Sequence, residues 1–303
     1  LNRHQFQLGW SLYNRPPDSE LGPTPADLAD KVSGWEGSSL RGKSIQVFAA
    51  QGVGDEIMFS SCIPDLIKES PKSIHLECDP RLKSLFARSF PEVTVHAVNR
   101  TNPISETHNK TGTLIENIKF DYSISIDGLP RFFRNRIEDF PKRDRFLVPN
   151  SDSVDKWEKR LGDLGKGLKI GISWLAGAPR FRKKQSIPLA NWKDLLSVDA
   201  FFVNLQYGDT SDEVTKFSTE NNITIYDWED NDALLDLDNQ AALIYNLDLV
   251  ISVDNATVHS CIALGKDVWN LIDPSLNLMW MENGTGVSPL SQHLRFFKKK
   301  NKN

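Results

Sequence analysis

The sequence predicts an α/β protein built from two doubly wound parallel-sheet domains that face a cleft. Short apolar runs alternate with amphipathic segments along most of the chain, the pattern of parallel strands joined by crossover helices. The alternation lapses over Asn99–Lys119 and restarts after Asn150. A length of 303 residues also suits about two domains.

Gln5-Phe6-Gln7-Leu8-Gly9-Trp10-Ser11-Leu12-Tyr13 reads as an amphipathic helical turn or two that ends at Pro16-Pro17, with a Pro/Gly/Ser-rich linker running to about Gly42. Residues 1–34 form this N-terminal segment, 35–150 a first Rossmann-like domain and 151–303 a second. In the first domain, strands are expected at Ser44–Ala50, Ile74–Cys78, Val93–Ala97 and Tyr122–Ile126. Asp55–Lys68 reads as a helix with Ile57, Met58, Cys62 and Ile63 on its apolar face, Arg81–Ala87 as a short helix, and Asn99–Lys119 as a loop. In the second domain, helices are expected at Val154–Leu161, Leu189–Leu196, Glu213–Ser218, Asn239–Asn246 and Thr257–Leu264. Strands are expected there at Leu168–Trp174, Phe201–Leu205, Ile223–Tyr226, Leu249–Val253 and Val268–Ile272. Ligands of such sheets bind outside the carboxyl ends of the strands.

Composition narrows the function. With 39% hydrophobic and 25% charged residues and a net charge of −4, the chain is an ordinary globular protein without the basic excess of a nucleic-acid binder. Lys298-Lys299-Lys300 reads as a solvated tail. The three cysteines, Cys62, Cys78 and Cys261, lie far apart in apolar segments and read as buried free thiols, not as a disulfide framework or a zinc site. No apolar run approaches the ~20 residues of a membrane span, and no secretory signal is visible, so a cytoplasmic location is expected.

Gly37-Ser-Ser-Leu-Arg-Gly42-Lys43-Ser44 satisfies the P-loop expression, but a linker precedes it and a strand follows it, so no helix N-terminus could face a phosphate. Gln51-Gly52-Val53-Gly54-Asp55 leaves the first strand and opens a helix. Gly52 and Gly54 permit a tight turn and close approach of a ligand. Two of the three glycines of a dinucleotide fingerprint are present, and Glu77 could imitate its ribose-binding acid, so an NAD enzyme stays open. A purely structural turn with Asp55 as N-cap is as good a reading.

Val253-Asp254-Asn255-Ala256-Thr257-Val258-His259-Ser260 passes from a buried strand into a helix. Free N–H groups at that helix start, with the Thr257 hydroxyl and His259, are expected to form an anion site at a strand C-terminus. The plain alternative is an Asp254 or Asn255 N-cap beside a surface histidine. Arg180, Arg182 and Lys183, in a loop past the strand ending at Trp174, suit a phosphate clamp or a solvated loop. Gln206, just past another strand, could donate to a base or phosphate, or satisfy loop backbone. No metal-ligand spacing and no G-x-S-x-G nucleophile elbow is present.

These segments resemble the glycosyltransferase module that follows tetratricopeptide repeats in many bacterial proteins, related to the lipopolysaccharide heptosyltransferases. The landmarks, from Trp35 to Phe297, are Leu40-Arg41-Gly42-Lys43, Gln51–Asp55, Leu76-Glu77-Cys78, Gly171-Ile172-Ser173-Trp174, Ser186-Ile187-Pro188-Leu189, Leu205-Gln206, Asp248–Asp254, His259, Ala263-Leu264-Gly265-Lys266 and Trp269. Gly9–Tyr13 looks like a last repeat helix, which implies the C-terminal part of a longer protein. The resemblance implies the GT-B architecture, with the acceptor on the first domain, the donor on the second, and no metal or other cofactor. It also implies that Asp55 is the general base and that Asp254–His259 holds the donor diphosphate. Implied partners are a nucleotide-sugar donor and a glycan, lipid-linked or protein acceptor. Around the histidine the family more often has D-T-x-x-A-H-L-A-G, where this chain has Asn255, Val258, Ser260 and Cys261. Its G-N-P-x-H loop is here Gly177-Ala178-Pro179-Arg180-Phe181. The alternative expectation is a degenerate module that docks a partner or senses a nucleotide sugar.

Overall fold

Every strand ladder among the described residues is parallel. The computed structural model describes residues 1, 5–13, 32–49, 51–98, 118–177, 184–273 and 288–299. They divide into two compact units, one ending at Pro141 and one beginning at Lys142.

The first unit contains α1 (Phe6–Tyr13), β1 (Ser33–Gly34), β2 (Ser44–Phe48), α2 (Val53–Phe59), α3 (Ile63–Lys68), β3 (Ser73–Cys78), α4 (Lys83–Ser89), β4 (Val93–Ala97), β5 (Tyr122–Ser125) and α5 (Pro130–Phe133). Its sheet order is β1-β5-β2-β3-β4. From β2 the chain winds outward to β3 and β4, then returns to β5 on the other side. The carboxyl ends of β2 and β5 therefore flank a topological switch point, where connecting segments diverge and leave a crevice.

The second unit contains α6 (Ser151–Gly162), β6 (Lys169–Ser173), α7 (Lys193–Leu196), β7 (Phe201–Asn204), α8 (Ser211–Asn221), β8 (Ile225–Tyr226), α9 (Leu237–Tyr245), β9 (Leu249–Val253), α10 (Ala256–Leu264), β10 (Val268–Ile272) and β11 (Leu294–Lys298). Its order is β11-β10-β9-β6-β7-β8, so its switch point lies between β6 and β9. One sheet face, with Ile170, Ile172, Ile251 and Val253, packs on Leu189, Trp192, Leu196, Val214 and Phe217. Each such aliphatic or aromatic side chain gains about 1.5–3 kcal/mol on full burial. Helix α10 packs on β9 and β10, and α9 packs on α6 and α10. All three cysteines are buried free thiols.

Several elements differ from the sequence reading. The helix expected over Asp55–Lys68 is broken by a 3₁₀ turn at Ser60–Cys62, because Pro64 has no N–H to continue the ladder and crowds the preceding turn. Gly52, not Asp55, is the N-cap of α2, and Asp55 sits at the third helical position with its Oδ2 accepting the Gly52 N–H at 3.1 Å. The linker before Gly42 includes β1, and Trp35 and Leu40 in it are buried. The segment 142–150, read from sequence with the first domain, belongs to the second unit: the Phe146 and Leu147 N–H groups both donate to the Ala263 carbonyl at 2.9 Å. Lys298 is not in a tail but ends β11, which pairs in register with β10.

Helix α1 belongs to the first unit. Phe6 and Trp10 are both 2% exposed. Trp10 Nε1 donates to the Arg134 carbonyl at 2.7 Å, and the Phe6 ring lies 5.0 Å from Phe140.

Helix α10 ends on Gly265 in the left-handed conformation (φ 71), with the Lys266 N–H reaching back to the Cys261 carbonyl at 2.8 Å. A Cβ at Gly265 would lie 2.3 Å from the Asp144 carbonyl oxygen, whereas one at Gly42 (φ 72) would meet nothing. Gly42→Ala is expected to cost only left-handed strain, about 1–2 kcal/mol. Gly265→Ala adds a backbone clash and is expected to cost about 2–4 kcal/mol. Urea unfolding of both variants checks the ordering.

Candidate functional site

In the second unit, side-chain amides tie the strand ends together at the switch point. Asn255 is the N-cap of α10, its Oδ1 accepting the Thr257 N–H at 2.9 Å and lying 3.1 Å from Ser252 Oγ. Its Nδ2 donates to Ser173 Oγ at 2.8 Å and to the Leu175 carbonyl at 3.1 Å. Both N–H bonds of the amide are thereby used, and its oxygen caps the helix. The Asn255–Ser173 bond joins the end of β6 to the segment leaving β9, across the switch point itself.

Gln206 continues the network from β7. Its Oε1 accepts from Ser173 Oγ at 3.0 Å, from the Trp174 N–H at 2.9 Å and from the Leu175 N–H at 2.8 Å. Ser173 is 0% and Gln206 4% exposed, so these bonds work with little competition from water. Gln206 therefore satisfies loop backbone, one of the two roles left open by sequence. Gln185 Nε2 lies 3.3 Å from Asp254 Oδ2, tying the 184–188 segment to the same edge.

The expectation of free N–H groups at the start of α10 needs correction. The Thr257 N–H is taken by Asn255, the Val258 N–H bonds the Asn255 carbonyl at 3.2 Å, and Thr257 is only 5% exposed. The Ala256 N–H has no acceptor among the described residues. Burial pushes the His259 imidazole down to about 4, so at neutral pH it is uncharged and meets an anion only as a hydrogen-bond donor. Burial also pushes the Cys261 thiol up, away from nucleophilic use. Arg180, Arg182 and Lys183 lie outside the described residues.

A cavity of about 760 Å³ opens beside this edge, running from Gln206 along α8 to the segment after β8. Asp209, Asp227, Glu229 and Asp232 line it with a bank of hydroxyls and Trp228, and among the described residues no lysine or arginine does. Four carboxylates repel a diphosphate. The cavity suits an uncharged, hydroxyl-rich or planar group. Sequence reasoning missed these residues because they are dispersed from Asp209 to Asp232 and form no motif.

In the first unit the structure brings Gln51, Gly52, Gly54 and Asp55 together past β2 as expected, but with the backbone strain elsewhere. The left-handed residue is Gln51 (φ 57), while Gly52 is extended (φ −102) and Gly54 lies inside α2. A non-glycine residue in this region costs about 1–2 kcal/mol. Gln51 Nε2 bonds Tyr13 Oη and also Asp127 Oδ2, the latter at 3.1 Å, and Asp127 in turn accepts from the Ser125 hydroxyl. Tyr13 and Asp127 were not singled out from sequence. Asp127 follows the end of β5, the same position relative to its strand that drew notice to Gln206. Glu77, considered as a ribose ligand, is fully buried with Oε1 accepting from Gln46 Nε2 at 2.7 Å. Among the described residues no group of three or more His, Cys, Asp or Glu is placed to hold a metal ion. No helix there is long and apolar enough to cross a membrane.

No family model matches the chain. It is 34% identical over 294 residues to the protein FlbA of Caulobacter vibrioides, covering 95% of this chain and 48% of FlbA, so it spans about half the length of that curated relative. A glycosyl transferase family 9 structure from Veillonella parvula superposes with a TM-score of 0.60 at 13% identity, over 86% of this chain and 87% of that one. The ADP-heptose lipopolysaccharide heptosyltransferase II structure from E. coli gives 0.54 at 14% identity, over 84% and 90%. At these identities the likeness establishes a shared fold of two α/β units with parallel sheets.

Asn255→Ala removes the cap and the bridge together and is expected to cost about 2–3 kcal/mol. Asn255→Ser restores a capping oxygen without the bridge and is expected to recover about 1 kcal/mol of that, as read by urea unfolding. His259 has a depressed folded pKa, so the unfolded chain takes up the proton first. Its contribution is complete above about pH 6.5 and is lost as pH falls from there toward about 4. The stability of His259→Gln is therefore expected to fall less than that of the parent between pH 7 and pH 5.

Proposed function

We propose that the chain is a GT-B glycosyltransferase of the hexosyl- or heptosyltransferase type. It moves a sugar from a nucleotide-diphosphate donor to an acceptor hydroxyl with inversion, without a metal or other cofactor. The observation that carries this reading is the α10 N-terminus braced across the switch point of the second sheet, in a fold shared with glycosyltransferase structures.

The donor diphosphate lies against the first turn of α10, where the Ala256 N–H and the helix dipole favour negative charge. The backbone of Asp254–Thr257 forms this seat, and Asn255 and Gln206 hold it in shape. His259 adds a neutral donor, and Arg180, Arg182 and Lys183 supply countercharge. The uncharged end of the donor enters the acidic cavity, which would reject the diphosphate. The acceptor, a glycan, lipid-linked sugar or protein, binds the first unit near Gln51, Gly52 and Gly54. As its oxygen bonds to the anomeric carbon, its proton passes to the Asp55 carboxylate and the anomeric C–O bond breaks toward the diphosphate. We place the protein in the cytoplasm, with tetratricopeptide repeats upstream of α1 in the full-length chain.

A second reading, a degenerate module that senses a nucleotide sugar, draws on one observation: Asn255 occupies the Thr257 N–H that an anion would otherwise use.

Thermal-shift measurements with UDP, GDP, ADP and CMP sugars test the donor seat, since a ligand at 100 times its Kd stabilises by ~2.7 kcal/mol. With the donor so found, Asp55→Asn is expected to keep the shift and lose transfer by about 10²–10⁴-fold. Near-normal transfer by Asp55→Asn would remove it as the base. A shift without any turnover by the parent would favour the degenerate module.

A further inference from the structure

The most exacting backbone position near the Gly52–Asp55 turn is held by a residue from the far N-terminus. Gln51 is left-handed although it is not glycine, and its side-chain amide is gripped from two directions. Tyr13, the last residue of α1, offers its phenol oxygen, and Asp127, just past β5, offers Oδ2 at 3.1 Å. The grip spans the switch point of the first sheet, since β2 and β5 are its central neighbours. Tyr13 is itself held: its ring lies 5.9 Å from Trp10, edge-on, and 6.0 Å from Phe59, the last residue of α2. The next link is Gly52, whose N–H is bound by the Asp55 carboxylate.

We propose that Tyr13 is a positioning residue of the acceptor site, which fixes the left-handed conformation of Gln51 and through it the Gly52–Asp55 turn. This rests on the assignment of that turn to the acceptor site. Helix α1 is then a working part of the first unit. Its aromatic face buries Phe6 and Trp10, and its last residue sets the geometry in which Asp55 is presented. Asp127 holds the Gln51 amide from the opposite side, so the turn is located between one fixed helix end and one strand end.

The test is a double-mutant cycle of Tyr13→Phe and Gln51→Gly on the full chain, read first by hydrogen exchange of the protein without any ligand. Tyr13→Phe keeps the ring against Trp10 and Phe59 and removes only the hydroxyl. It is expected to raise exchange at residues 51–59 about tenfold, with the second unit unchanged. In the Gln51→Gly background, where the left-handed conformation needs no support, Tyr13→Phe is expected to have no further effect. Equal effects in both backgrounds would reduce Tyr13 to packing, and no effect in either would remove it altogether; both overturn the proposal. A second reading, with whichever nucleotide sugar the parent turns over, separates the two assignments. Tyr13→Phe should lower kcat about tenfold and leave the donor KM unchanged. If the exchange cycle behaves as expected but no nucleotide sugar is turned over by the parent, the acceptor-site assignment fails and Tyr13 remains the support of a structural turn. Turnover by the parent with an additive cycle overturns the role of Tyr13 alone.

Discussion

Asn255 holds three parts of the second unit at once: the end of β6 through Ser173 and Leu175, the end of β9 beside Ser252, and the first turn of α10 through the Thr257 N–H. A sheet that reverses its winding direction leaves a crevice between the diverging connections. Something must fix the width of that crevice if it is to receive the same ligand each time. An amide with both N–H groups engaged and its oxygen capping the helix does so with little freedom left. Gln206 extends the same logic one strand further, its single oxygen collecting two backbone N–H groups and a hydroxyl.

The first unit solves the same problem with the same functional group. Gln51 reaches across its switch point to Asp127, and α1 supplies the third contact through Tyr13. The two units differ in what is left over. Around α10 the polar groups are mostly satisfied internally, and the His259 imidazole is uncharged at neutral pH. Around the Gly52 turn, Asp55 and Asp127 lie past the ends of β2 and β5, while Glu56 is buried against the Asp79 N–H and Asp79 is paired with Arg81. The proposed division, acceptor on the first unit and donor on the second, comes from the resemblance of the sequence to the heptosyltransferases.

The alternation of strands and helices was legible in the sequence because burial sets its period: Val93–Ala97, Leu249–Val253 and Val268–Ile272 are found with their expected bounds. The strand ends, and hence Asn255, Gln206 and Asp55, followed from the same reading. What escaped it depends on contacts remote in sequence. Tyr13 meets Gln51 across 38 positions, and Ser173 meets Asn255 across 82. The two-residue strand β1 lacks an apolar signature of its own and forms because an established edge offers it hydrogen-bond partners. The turn chemistry misled in one respect. Glycines marked where the turn is, but the left-handed residue is Gln51, a conformation kept by its side-chain partners and invisible to propensity.

Seating of the diphosphate at α10 by the second unit is the premise of the proposed function. A crystal structure of the protein with a bound nucleoside diphosphate tests that most directly. Phosphate oxygens are expected against the Ala256 N–H, with Asn255 still bonded to Ser173 and the nucleoside directed past Gln206 toward the acidic cavity. Phosphates bound instead at the Gln51–Gly54 turn of the first unit would contradict it.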